Sequence, residues 1–111
     1  MSDLGFAAQL AEDLSPDDLR LVLKVFHADV QRLTGALADA ARLDDAAAFR
    51  RAAHGLAGAA GAVGAARLEE ASRRAMAGGE TLGTGLAEVT AMADGALGDL
   101  AAFLARLGPA T

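Results

Sequence analysis

The chain predicts an all-α fold: an antiparallel up-down-up-down four-helix bundle with a short extra N-terminal helix. Three observations lead there. Apolar residues recur at steps of three and four along nearly the whole chain, the spacing of a helix face, and two-residue alternation is almost absent. Ser, Asp and Gly stand where helices conventionally begin and end. The breaks between periodic segments are short, which makes consecutive helices antiparallel neighbours. With 111 residues, no internal repeat and no linker, a single domain over residues 1–111 is expected.

A first short helix is expected at about residues 3–13. In "LSPDDLR" Ser15 can cap the second, Pro16 suits its first position, and Asp17 and Asp18 suit the positive end of its dipole. Leu19, Leu23, Phe26, Val30, Leu33 and Leu37 then form one seam, on a helix running to about residue 40. Asp44 or Asp45 can cap the third helix, whose inward stripe is Phe49, Ala52, Leu56, Ala59 or Ala60, and Val63. Gly61 weakens its end and Gly64 stops it. A fourth helix at about 65–77 turns Leu68, Ala71 and Ala75 inward and ends at "AGGE". The last begins somewhere in 80–86. Its stripe runs through Leu82, Leu86, Val89, Ala93, Leu97, Leu100, Leu104 and Leu107, and Gly108-Pro109 closes it.

Composition removes several function classes. A net charge of −5 and a pI of about 4.8 argue against nucleic acid, whose phosphates need a basic surface. With no Trp or Tyr and four Phe, there is no aromatic platform for stacking bases. The absence of cysteine excludes disulfides and thiol nucleophiles. No apolar run reaches the ~20 residues of a membrane span. The N-terminus lacks a basic segment leading into an apolar one, so a soluble cytoplasmic protein is expected. Two histidines without a spaced set of carboxylates do not make a metal site. No nucleophile–base–orienter set and no phosphate-cradling glycine loop occurs, so neither an ordinary enzyme nor an ATP-binding protein is expected.

The stretch "RAAHGLAGAAGAVGAARLEE" holds one histidine among alanines and glycines. At about 100° per residue, with Phe49 at zero, Leu56, Ala60 and Val63 fall within roughly 40° of it and His54 falls near 140°. The imidazole therefore stands on the outer face of the third helix. Its helical neighbours are Arg50 and Arg51 on the N-terminal side and Ala57 and Gly58 on the C-terminal side, with Gly61 one turn further. A mid-helix glycine costs about 0.5–1 kcal/mol relative to alanine. Internal packing does not explain Gly58, whose Cβ would face solvent; a cleared approach path for another macromolecule does. A neutral imidazole carries a nitrogen lone pair that can accept a phosphoryl group. Arg50 and Arg51 suit the geometry of a phosphate once it is attached. The phosphoryl donor would be another phosphoprotein.

With these residues in place, the chain resembles the histidine-containing phosphotransfer (HPt) domain family. That family's pattern is His-x-Leu-Lys-Gly, small residues, Gly-Ala, then a Leu-rich helix with acidic residues; here it stands as "HGLAGAAGAVGAARLEEASR", preceded by "FRRAAH". His54, Leu56, Gly58, Gly64, Ala65, Leu68 and Glu70 fall where the family places like residues. The resemblance spans essentially the whole chain. It implies that His54 is phosphorylated and exchanges phosphoryl groups with aspartates on receiver domains of response regulators or hybrid histidine kinases. It implies docking around the third helix, no cofactor in this chain, and Mg²⁺ only in the partner receiver. The expected site is His54 with Arg50, Arg51, Ala57, Gly58 and Gly61, on a monomer. Ala57 stands where the family usually has lysine, which keeps a second reading open: a modulator that docks receivers without efficient transfer.

Other residues read more plainly. His27 lies about 80° from the seam of its helix, a boundary position with a structural role. Arg20, Lys24 and Gln31 share the outer half of that helix, read first as a solvated surface and second as a contact for a receiver. Phe26 and Phe49 are core fillers. "LEE" is a solvated face, on which Arg73 and Arg74 pair with Glu69 and Glu70.

Overall fold

The computed structural model describes residues 5–79 and 81–107, and these form five helices. They are α1 (Gly5–Asp13), α2 (Pro16–Arg42), α3 (Ala46–Val63), α4 (Ala66–Ala77) and α5 (Leu82–Leu107). The start of the first predicted helix and the closing Gly108-Pro109 lie outside the described residues.

The helix ends follow from local chemistry. The Asp18 N–H donates to Ser15 Oγ at 3.2 Å, and the Ala48 N–H to Asp45 Oδ1 at 3.0 Å, so Asp45 rather than Asp44 caps α3. Asp44 instead takes the left-handed conformation, φ 54°, that ends α2 two residues later than expected. The Asp45 N–H then reaches back to the Ala40 carbonyl at 2.9 Å. Gly64 does the same for α3. Its φ of 81° turns the chain, and the Ala65 N–H donates to the Ala60 carbonyl at 2.9 Å. Thr81 fixes the start of α5 that "TLGTG" blurs: its Oγ1 accepts the Thr84 N–H at 3.1 Å.

α2 packs on α3, α3 on α4, α4 on α5, and α5 returns to α2, so the four longer helices close around one core. α1 lies against α2, α3 and α5, with Phe6 tilted onto Phe26 at a ring-centroid distance of 5.6 Å. Leu19, Leu23, Val30, Leu37, Leu56, Leu68, Val89 and Leu100 are fully buried. The predicted seam of α2 is inward except at Leu33, which is half-buried and rests on Gly55 of α3. A Cβ built on Gly55 would come within 3.0 Å of Leu33 Cδ2. Small residues thus let α2 and α3 approach closely, which gives an alanine-rich core its packing density.

α3 is buried on a wider arc than its stripe predicts. Ala53 and Ala57 join Phe49, Ala52, Leu56, Ala60 and Val63 in the interior, because α2 covers one flank and α4 the other. His27, expected at the boundary, is exposed. Phe49 is the largest side chain α3 buries, and its ring packs against Gly85 of α5, where a Cβ would come within 3.3 Å of Cζ. Phe49→Ala is expected to lower the unfolding free energy by about 3–5 kcal/mol. Urea titration followed by circular dichroism should show the midpoint fall with the slope unchanged. Ser72 of α4 presents the opposite case. Its hydroxyl is fully buried and finds no partner among the described residues, so Ser72→Ala should raise stability by about 1 kcal/mol in the same titration.

Candidate functional site

α3 carries the site because its register is fixed on the inside. With Phe49, Leu56, Ala60 and Val63 locked into the core, His54 is left exposed on the outer face. Arg50 and Arg51, one turn before it, are exposed as well. A Cβ on Gly58 would meet nothing within 4 Å, so the position one turn after the histidine is open space.

Two hollows flank the imidazole. One, of about 670 Å³, is lined by Ala47, Arg50, Arg51, His54 and Met76. The other, of about 290 Å³, lies toward α4 and is lined by His54, Ala57, Gly58, Gly61, Glu69, Arg73 and Met76. A water takes up ~30 Å³ of liquid, so either hollow has room for a phosphoryl group with hydration. Met76 of α4 borders both.

The predicted residues are thus brought together, with two corrections. Ala57, expected beside His54 on the outer face, is turned inward: it is 7% exposed and lines the second hollow toward α4. Gly61 is not merely a weak point in α3. It is the seat of Glu69, whose Oε2 lies 3.0 Å from where a Cβ would stand, so the missing side chain is what admits the carboxylate.

Sequence reasoning missed the contribution of α4. Glu69, read as solvated, leans onto α3 with its side chain 28% exposed. Arg73 Nη2 pairs with Glu69 Oε2 at 2.6 Å, as expected along one helix, but the pair also faces His54 across the second hollow. Gly61 was the available signal: a helix glycine facing a neighbouring helix marks a close approach. Arg74 is different. It is held by Glu70 on its own helix and by Glu88 of α5, and its guanidinium pKa is raised, chiefly by the hydrogen bond to Glu88. Arg74 ties α4 to α5; Arg50 and Arg51 have no ion pair among the described residues.

Chemically, the arrangement offers an accessible nitrogen nucleophile amid three guanidinium groups and one carboxylate. A chain of net charge −5 therefore concentrates positive charge around its one outward imidazole on α3, which suits an anionic group arriving there. Among the described residues no cluster of three His, Asp or Glu could hold a metal, and no helix is long and apolar enough to cross a membrane.

No curated protein and no solved structure gives a match. The family model described as Hpt domain matches residues 21–107. That span takes in most of α2 and all of α3, α4 and α5, including the helix face that carries His54, and the chain belongs to the Hpt domain family.

Proposed function

We propose that this chain is a histidine phosphotransfer protein of a two-component phosphorelay, carrying a phosphoryl group on His54 to and from aspartates of receiver domains. Hpt domains are phosphocarriers that work with receiver domains and histidine kinases. The observation that carries the reading for this chain is the exposure of His54 beside the open space at Gly58. In the transfer, a ring-nitrogen lone pair of His54 forms the N–P bond. The P–O bond to the receiver's aspartate breaks, and the carboxylate leaves with the electron pair. The receiver supplies Mg²⁺ and the acidic pocket, so the chain itself needs no cofactor. Arg50 and Arg51 border the path of the incoming phosphate, Gly58 keeps it open, and Ala57 and Gly61 form its floor toward α4.

The carrier is read as one monomeric domain over residues 1–111, an antiparallel up-down-up-down bundle with α1 appended, acting in the cytoplasm. Links of two to four residues between helices that pack side by side support the antiparallel order. The docking surface extends beyond the histidine. Along α3 the exposed path from His54 through Gly58 reaches Ala62, which borders an apolar hollow with Leu21 and Val25 of α2. Leu21 is 61% and Val25 53% exposed, a surface that a docking receiver would cover. A second reading, a receiver-binding modulator without efficient transfer, is favoured by one observation. Position 57 offers no cation, and Arg73, which lines the same hollow, is paired with Glu69.

The test is incubation of the purified protein with phosphorylated receivers or active hybrid kinase. Label is expected on the protein as an acid-labile, base-stable adduct. Tight receiver binding with no label from any receiver tried would replace the carrier by the modulator.

A further inference from the structure

We propose that Arg73 of α4 is the cation that holds the phosphoryl group on His54, with Glu69 as the counter-ion that parks it when no phosphate is present. The inference rests on the phosphocarrier reading and adds a residue from a second helix to its site.

Three features place Arg73 in this role. The hollow between α3 and α4 brings His54 and Arg73 to the same small space, and Arg73 is the one cation among the described residues that lines it. α3 contributes none there, since the wall one turn after His54 is Ala57 and Gly58. Second, Gly61 gives the Glu69 carboxylate a fixed seat against α3, and this carboxylate holds the Arg73 guanidinium at 2.6 Å. The guanidinium therefore rests beside the hollow, close to its counter-ion. Third, the hold is weak enough to release. The Arg73 side chain is 67% exposed, and an exposed pair of this kind contributes little to stability. A phosphoryl dianion bonded to His54 offers more charge and a bidentate geometry that guanidinium matches. Arg74, one residue on, cannot serve: Glu70 and Glu88 hold it from two helices.

Glu69 then has two opposing effects on phosphorylated His54. It positions Arg73, and it places a negative charge near the dianion. Removing its charge should free Arg73 and lift the repulsion together, so Glu69→Gln should make the phosphorylated state more favourable.

Phosphoryl exchange with N-phosphoimidazole tests this without any partner protein. A His54 ring nitrogen attacks phosphorus, the P–N bond of the reagent breaks, and imidazole leaves with the electron pair. Bond type is conserved, so the equilibrium constant reads how much the protein stabilises the phosphoryl group over a free imidazole. It is measured by ³¹P NMR in a His27→Gln background, so that only His54 reports. Arg73→Gln is expected to lower the constant roughly tenfold, the factor that 1.4 kcal/mol represents. Arg73→Lys should recover most of the loss, and Glu69→Gln should raise the constant above that of the parent. Adding Ala57→Lys to Arg73→Gln should also recover it, because a lysine rising from the floor of the same hollow can lay its stem along the wall and present its ammonium at the rim. An unchanged constant in Arg73→Gln, with His54 still phosphorylated, overturns the assignment and leaves the phosphocarrier reading intact. Failure of that reading would show elsewhere, as normal exchange with N-phosphoimidazole but no transfer from any receiver.

Discussion

His54→Gln is expected to abolish phosphoryl acceptance from a phosphorylated receiver while leaving the fold unchanged. Glutamine is similar in length and polarity but its amide nitrogen has no available lone pair, so the nucleophile is lost and little else. The position is exposed, so the substitution removes no core contact, and thermal unfolding should shift only slightly. His27 supplies the control. It is also exposed, but it sits on α2 and lines neither of the two hollows around His54. His27→Gln should therefore accept phosphate like the parent. The measurement is radiolabel transfer from phosphoreceiver, resolved by gel, for the parent and both variants. Label persisting on His54→Gln, or vanishing from His27→Gln, would move the phosphoacceptor and with it the functional reading.

The outward placement of His54 was legible in the sequence because it depends on one helix alone. Phe49, Leu56, Ala60 and Val63 define the inner face of α3, and the helical rotation does the rest. The helix ends were legible for a similar reason: Ser15, Asp45 and Gly64 act on backbone groups within a few residues of themselves. What was not legible depends on how two helices meet. Ala57 and Gly58 are adjacent in sequence and equally small, yet one is covered by α4 and the other faces open space. A wheel gives directions around one axis but not the width of the arc its neighbours bury. Glu69 and Arg73 carry the same difficulty. Their spacing predicts the pair they form, but only the α3–α4 contact, set by Gly61, brings that pair to the histidine. His27 shows the limit from the other side, since a residue 80° from a seam lies inside or outside according to how closely the next helix packs.

Gly58 should separate stability from function in opposite directions. No atom lies within 4 Å of a Cβ placed there, and the backbone is regular helix, so Gly58→Ala replaces a flexible residue by a good helix former without a clash. A gain of about 0.5–1 kcal/mol in unfolding free energy is expected. Gly58→Arg should keep much of that gain, because arginine is also a good helix former. Its side chain, however, would project from the turn after His54 into the path a receiver must take, and helical side chains lean back toward the N-terminus, which is toward the histidine. Receiver binding, followed by calorimetry, should fall below detection in Gly58→Arg and remain close to the parent in Gly58→Ala. Exchange with N-phosphoimidazole should survive in both, since a small reagent can reach His54 from the side of Ala47 and Arg51. A stable Gly58→Arg variant that still binds receivers at parental affinity would show that the partner approaches from another face of the bundle. Loss of binding with the fold intact would identify the glycine as a stability cost accepted to keep the approach to His54 clear.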